Sequence, residues 1–274
     1  MGSDGWHLTD DIDDFLPVAG AFLRSRPALH TMPLTTLTKV PTGLLLGRLE
    51  EAGAVRAICY RRPSSDRLTL TSVSPARADA LAAHLAGLGR TFGGVTAEHD
   101  TATAFAAAWQ RHTGAAAVPG VRVRLYRLGT LTSPGPLPAG RGRLLGEPDR
   151  AQIIRWCADF ATAVGETPAA TWADSRYADK HFTFWETTDG TPVSIAGATS
   201  MIGGMIRVDP VYTPAHLRGR GYAGAVTVEV SRAALAAGAT DVVLFTNPAN
   251  PTSNALYQRI GYVPIADFTG YDFS

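Results

Sequence analysis

The stretch Arg218-Gly219-Arg220-Gly221-Tyr222-Ala223-Gly224 has the residue types that hold an anion. It lies between an extended run, Ile206 to Thr213, and a small-residue helical run that stops at Gly238. Glycines let the backbone bend until several N–H groups face one point, and the following helix brings its positive dipole end to the same place. A pyrophosphate suits that charge distribution, with Arg218 and Arg220 beside it to meet phosphate oxygens. ATP, a dinucleotide and coenzyme A all meet this description. ATP fits least, because the Lys-Ser/Thr pair that follows the glycines of a P-loop is missing.

Other reactive side chains give less. Cys59 and Cys157 lie in apolar contexts, which reads as buried thiols and neither a disulfide nor a metal pair. Cys157 also has no paired histidine, so an acyl-enzyme through cysteine is not expected. The seven histidines lack ligand-type spacing, and no metal site is expected.

The elements that position the glycine loop read as follows. Helical spacing covers Pro148 to Val164, with a second short helix near Pro168 to Tyr177. Strands His181–Glu186 and Val193–Thr199 flank the turn Thr188-Asp189-Gly190, and Ile206 to Thr213 forms the next strand. After the loop and its helix, the apolar run Asp241–Thr246 suits a parallel strand covered on both faces. A helix from Thr252 to Ile260 and a strand from Tyr262 onward complete a mixed α/β (α+β) sheet.

The first half repeats this order of strand, helix, strand, helix, strand in Arg67–Val73, Pro75–Leu88, Gly94–Glu98, Ala102–His112 and Val121–Tyr126. Its junction is Ser74-Pro75-Ala76-Arg77, with no glycine to gather amides, so a structural copy without the anion site is expected. Between the halves, residues 129–140 are rich in proline and glycine and read as a linker. The expected domains are thus 1–128, the linker 129–140, and 141–274.

Bulk properties exclude several classes. The chain has 274 residues, 45% hydrophobic and 18% charged, with a net charge of +1, which gives no field for nucleic acid or an anionic membrane. Lys39 and Lys180 are the only lysines, which reads as a compositional habit and not a site. No apolar stretch reaches the roughly 18 residues of a membrane span, and Met1-Gly2-Ser3-Asp4-Gly5 lacks a signal pattern, so a cytoplasmic location is expected.

Arg218, Gly221 and Ala223 match the pyrophosphate loop of the GNAT superfamily of acyl-CoA N-acyltransferases, in which Gln or Arg is followed by two variable residues, Gly, one residue, then Gly or Ala. Asn247, Ala255, Tyr257, Gly261 and Tyr262 resemble the family's second signature at its usual spacing after the next strand. The resemblance covers about residues 141 to 274 and implies tandem GNAT-like lobes, the first degenerate, with acetyl-CoA as cosubstrate of the second. It implies direct transfer of an acyl group to a primary amine of a small molecule or peptide, by a monomer or homodimer. A module that binds acetyl-CoA without turnover is the alternative.

The resemblance also assigns residues. Two central parallel strands splay apart, so the strand ending at Val211 to Thr213 offers backbone groups to the pantetheine arm as an added strand would. Pro210 suits an interrupted ladder, since it has no N–H to lose. The Val211 N–H is the candidate for polarising the thioester carbonyl. Tyr257 is the candidate acid for the departing thiolate, or packs beneath its helix. Cofactor contacts are expected from Val211, Thr213, Arg218, Gly219, Arg220, Gly221, Tyr222, Ala223, Asn247, Asn254 and Tyr257; Asn254 alternatively caps its helix, with Asn250 and Ser253 as rival caps. Gly261 reads as a helix stop. Glu186 and Asp209 are the candidate bases, Asp209 on the strand face of Val211, and give the acceptor cleft an acidic edge. His181 and His216 are weaker candidates, and a water chain needs no base. The first lobe is expected to wall the acceptor cleft, so that removing residues 1–128 would precipitate the rest.

Overall fold

The repeat in the sequence has a structural counterpart. A computed structural model describes residues 5–39 and 42–274. The reading of the first four residues as signal-free lies outside them. The chain divides by contacts into two units, Met1–Leu125 with Ile265–Ser274, and Tyr126–Pro264.

The first unit begins with elements that the sequence reading does not assign: β1 (Gly5–Thr9), α1 (Ile12–Ser25), α2 (Thr31–Leu37), β2 (Leu45–Glu51) and β3 (Ala54–Arg61). It continues as β4 (Arg67–Leu70), α3 (Pro75–Gly87), β5 (Gly94–Glu98), α4 (His99–Thr113) and β6 (Ala117–Leu128), whose last three residues pass into the second unit. Strands β4 and β5 run parallel and their connection is α3, a right-sized crossover. Leu68, Val95 and Ala97 of the sheet pack with Ala78, Leu81, Leu85, Phe105 and Trp109 of α3 and α4.

The second unit holds β7 (Arg141–Leu144), α5 (Arg150–Ala163), β8 (His181–Glu186), β9 (Pro192–Ala198), β10 (Met205–Tyr212), α6 (Tyr222–Ala236), β11 (Asp241–Thr246) and α7 (Pro251–Ile260). Its strand order is β6-β11-β10-β9-β8-β7, antiparallel from β7 to β10 and parallel between β10 and β11. Side chains alternate across this sheet as a period of two requires. Phe182, Phe184 and Ile195 face Ile153, Trp156 and Cys157 of α5, while Trp185 and Ala196 join the α6 cluster with Ala225, Val226 and Val228.

The last strand, β12 (Tyr262–Phe273), differs from the expected partition. Phe268 to Asp272 pairs antiparallel with β5, and Arg124 reaches Asp267 at 2.6 Å, so residues 265–274 build the first unit. Two further expectations change. Residues 168–180 form turns without a helix, because the Thr171 and Ser175 hydroxyls satisfy local amides: Asp174 N donates to Thr171 Oγ1 and Tyr177 N to Ser175 Oγ. Residues 129–140 are no free linker. Thr132 N donates to Ile260 O at 2.7 Å, Gly129 N to Gly261 O at 2.9 Å, and Leu131 and Leu137 pack on the α6 cluster.

Candidate active site

Parallel pairing between β10 and β11 ends at Arg207 opposite Val243, while β10 runs on to Tyr212 and β11 to Thr246. Beyond Arg207, β10 keeps only its β9 neighbour, in a register that shifts between Val208 and Val211. Three steps on β10 match two on β9, since Val208 faces Ala198 and Val211 faces Ala196; this is a β-bulge, and Pro210 lies inside it.

The loop after β10 has the expected bends. Gly219 and Gly221 take positive φ of 79° and 82°, which non-glycine residues resist. Gly221 is the N-cap of α6 and brings no capping side chain. Among the described residues, no backbone carbonyl accepts from the amides of Gly219 to Gly224, so they and the helix dipole are available to an anion. In the first unit the matching helix start is self-satisfied, with Ser74 Oγ accepting from Arg77 N. Arg218 Nε donates to Thr213 O at 3.1 Å, which leaves its terminal amino groups exposed at the loop. Arg220 reaches back to His216 O at 3.4 Å. Thr213 is buried, its hydroxyl 2.8 Å from that of Ser194.

The candidate bases are elsewhere engaged. The bulge resets alternation, so Asp209 does not share the face of Val211: Val211 packs with the α6 cluster, while the Asp209 carboxylate meets Lys180 and, at 3.2 Å, Arg176. Burial pushes Asp209 up, but Lys180, Arg176 and Arg207 outweigh it and hold the carboxyl well below the usual range. A carboxylate so stabilised is a poor proton acceptor. Lys180, with 1% of its side chain exposed, is drawn down to about 8 by burial against the pull of Asp209. Glu186 is likewise occupied: Arg143 Nε donates to it at 2.6 Å, while Nη1 and Nη2 of the same guanidinium make a bidentate fork at 2.8 Å to Asp149. Both candidate carboxylates are therefore paired with cations. A pocket of about 470 Å³ that Lys180 lines also has Arg150 and His181, against a carboxylate, Glu147, that is itself paired with Arg150.

Tyr257 is buried on α7 with its ring 6.5 Å from Tyr126 and 6.0 Å from Tyr262. Burial pushes its phenol up, so it holds its proton at neutral pH. Asn254 is a brace for its turn: its amide donates to Asn247 O at 3.0 Å and Asn250 O at 2.6 Å, and accepts from Tyr126 Oη at 2.8 Å. Asn250 caps α7, and Asn247 Oδ1 accepts from Ala249 N. Gly261 ends α7 in the left-handed region, as expected. His181 and His216 are exposed. Cys157 is buried with its thiol pushed up to about 12, and Cys59 is also free and buried. Sequence reasoning missed Lys180, Arg176, Arg143 and Tyr126; Lys180, one of only two lysines, had rarity as its signal.

Residues 198–269 match the family model described as FR47-like protein, which spans the loop, α6, β11 and α7. No curated protein matches the chain. Among solved structures, a GCN5-related N-acetyltransferase from Sphaerobacter thermophilus aligns at TM-score 0.59 and 16% identity, covering 99% of this chain and 96% of that one. This chain has the GNAT fold. A GCN5-related N-acetyltransferase from Kribbella flavida aligns at 0.58 with 19% identity, covering 91% and 95%. A tandem GNAT protein from the clavulanic acid biosynthesis pathway aligns at 0.61 with 13% identity, covering 98% of each chain. GNAT proteins use acetyl-CoA as cosubstrate, and the end of β10 beyond its pairing with β11 and the unclaimed loop amides fit its pantetheine and pyrophosphate. Among the described residues, no cluster of His, Cys, Asp or Glu could hold a metal ion, and no helix is long and apolar enough to cross a membrane.

Proposed function

We propose that the second unit transfers an acetyl or other acyl group from coenzyme A directly to a primary amine of a small molecule or peptide. The observation that carries this reading is the end of β10–β11 pairing at Arg207, just before the bulge. Beyond Arg207, β10 has no partner strand on its β11 side, where a pantetheine arm can add as a strand. Gly219 to Ala223, with Arg218 and Arg220, take the pyrophosphate. The Val211 N–H faces the developing oxyanion, a fixed dipole that needs no reorganisation.

Tyr257 protonates the departing thiolate; burial keeps its phenol protonated at neutral pH, so the proton is present when the thiolate leaves, although the same burial makes the phenol a weaker acid. Since Asp209 and Glu186 are held by arginine and lysine, the proton of the attacking amine leaves through water. The buried, strongly raised Cys157 thiol supports transfer without an acyl-enzyme.

The reading is tested by mixing the protein with acetyl-CoA and a broad amine panel and following free thiol. Turnover is expected with at least one amine, and Tyr257→Phe is expected to lower kcat about a hundredfold with coenzyme A affinity unchanged. Tight coenzyme A binding without thiol release above hydrolysis would instead support a binding module. An unchanged kcat for Tyr257→Phe would remove the acid role.

A further inference from the structure

Residues 129–140 contain three prolines and no charged side chain, and they do not hang between units. Their first part is tied by backbone hydrogen bonds from Gly129 and Thr132 to the end of α7, and Leu131 and Leu137 sink into the α6 cluster. At the far end Gly140 sits so tightly that an added Cβ would lie 2.1 Å from Glu186 O. What lies between is pinned against the start of α6. A Cβ added to Gly221 would stand 3.5 Å from Pro138 Cδ, and one added to Gly224 would stand 4.0 Å from Pro134 Cγ.

Resting on the coenzyme A reading above, we propose that this strap is a wall of the nucleotide end of the cofactor site, with Pro134 and Pro138 as the residues that distinguish coenzyme A from a bare pantetheine thioester. A group bound at the first turn of α6 meets Pro138 beside Gly221, so what hangs from a pyrophosphate there lies along the strap. Proline rings have fixed φ and no N–H, and they present a rigid apolar surface suited to the flat face of a base. Because both ends of the strap are already fixed, little ordering cost is incurred on binding. The arginines of the loop supply charge, and the uncharged strap supplies shape. Pro138 and Pro134 stand beside Gly221 and Gly224 of α6, whereas a pantetheine arm is placed by the edge of β10.

The test uses the full chain. Calorimetry with coenzyme A and kinetics with S-acetylpantetheine are compared for the parent and Pro134→Gly/Pro138→Gly. The variant is expected to bind coenzyme A about tenfold more weakly, with KM for S-acetylpantetheine unchanged. Equal weakening of both, or coenzyme A affinity within about twofold of the parent, overturns the proposal. Hydrogen exchange of the parent gives an answer even where the variant fails to fold. Coenzyme A is expected to slow exchange at Ser133, Gly135, Leu137 and Ala139 where pantetheine does not, and identical exchange with either overturns the proposal. A parent that binds coenzyme A with an unaffected strap removes this inference alone, whereas a parent that does not bind it removes the acyltransferase reading as well.

Discussion

Lys180→Met is expected to destabilise the protein by about 3 kcal/mol, read as a lower urea midpoint at unchanged slope. Its ammonium is almost wholly buried against Asp209, with its Nζ also 4.9 Å from the Tyr177 ring. Removing one partner of a buried pair leaves the other charge uncompensated, the costly half of the exchange. Arg176 stays within 3.2 Å of Asp209, which keeps the loss at the lower end of the range for buried pairs. Lys180→Met combined with Asp209→Asn should therefore lose less than Lys180→Met alone. A double variant at least as unstable as the sum would show that packing, not the orphaned charge, sets the cost.

Acid has a matching effect. Asp209 has a folded pKa held below the unfolded carboxylate value near 4, so its ionised form contributes stability that is present above about pH 4 and lost as pH falls. Between about pH 5 and pH 3 the parent should lose stability that Asp209→Asn does not lose. Lys180 acts at the other end: with a folded pKa of about 8, below its unfolded value, its burial opposes folding at low pH and is relieved as pH rises through 8.

Gly261→Ala is expected to cost about 3 kcal/mol, the sum of a left-handed backbone penalty and an overpacked contact. Gly261 has φ of 103°, and an added Cβ would sit 1.9 Å from Thr130 O, closer than any real contact. Backbone lies on the other side of this contact, so no flexible side chain can move away. Gly238→Ala isolates the two terms, since φ there is 90° with nothing within 4 Å of the added Cβ. Its expected cost is about 1 kcal/mol by thermal unfolding. Equal losses for the two variants would mean that the strap yields at Thr130.

The motifs around Arg218 and Asn247 were legible because each is local: a bend, a helix start and a cap are decided by neighbours within a few residues. His181–Glu186 and Asp241–Thr246 match the strands to the residue for the same reason. The turns at residues 168–180 read as a helix from apolar spacing alone, which there competes with the Thr171 and Ser175 hydroxyls accepting from nearby amides and with Thr171 Oγ1 donating to the Asp174 carboxylate. The strap was misread because proline and glycine composition describes an unfolded tendency, whereas its conformation is set by Ile260 and Gly261, far along the chain. Parity placed Asp209 with Val211, and parity fails at a bulge, which depends on the partner strand. The occupants of Asp209 and Glu186 are distant arginines and a lysine, and no spacing rule within one segment exposes such partners.

The return of residues 265–274 to the first unit has a consequence for how the protein is made. Chains leave the ribosome from the N-terminus, and domains usually complete themselves in that order. Here β5 waits for Phe268 to Asp272, which are synthesised only after the whole second unit. Of the two units, the one that emerges earlier is thus the later to be finished, and during translation the open side of β5 is a strand edge to which a neighbouring nascent chain can pair.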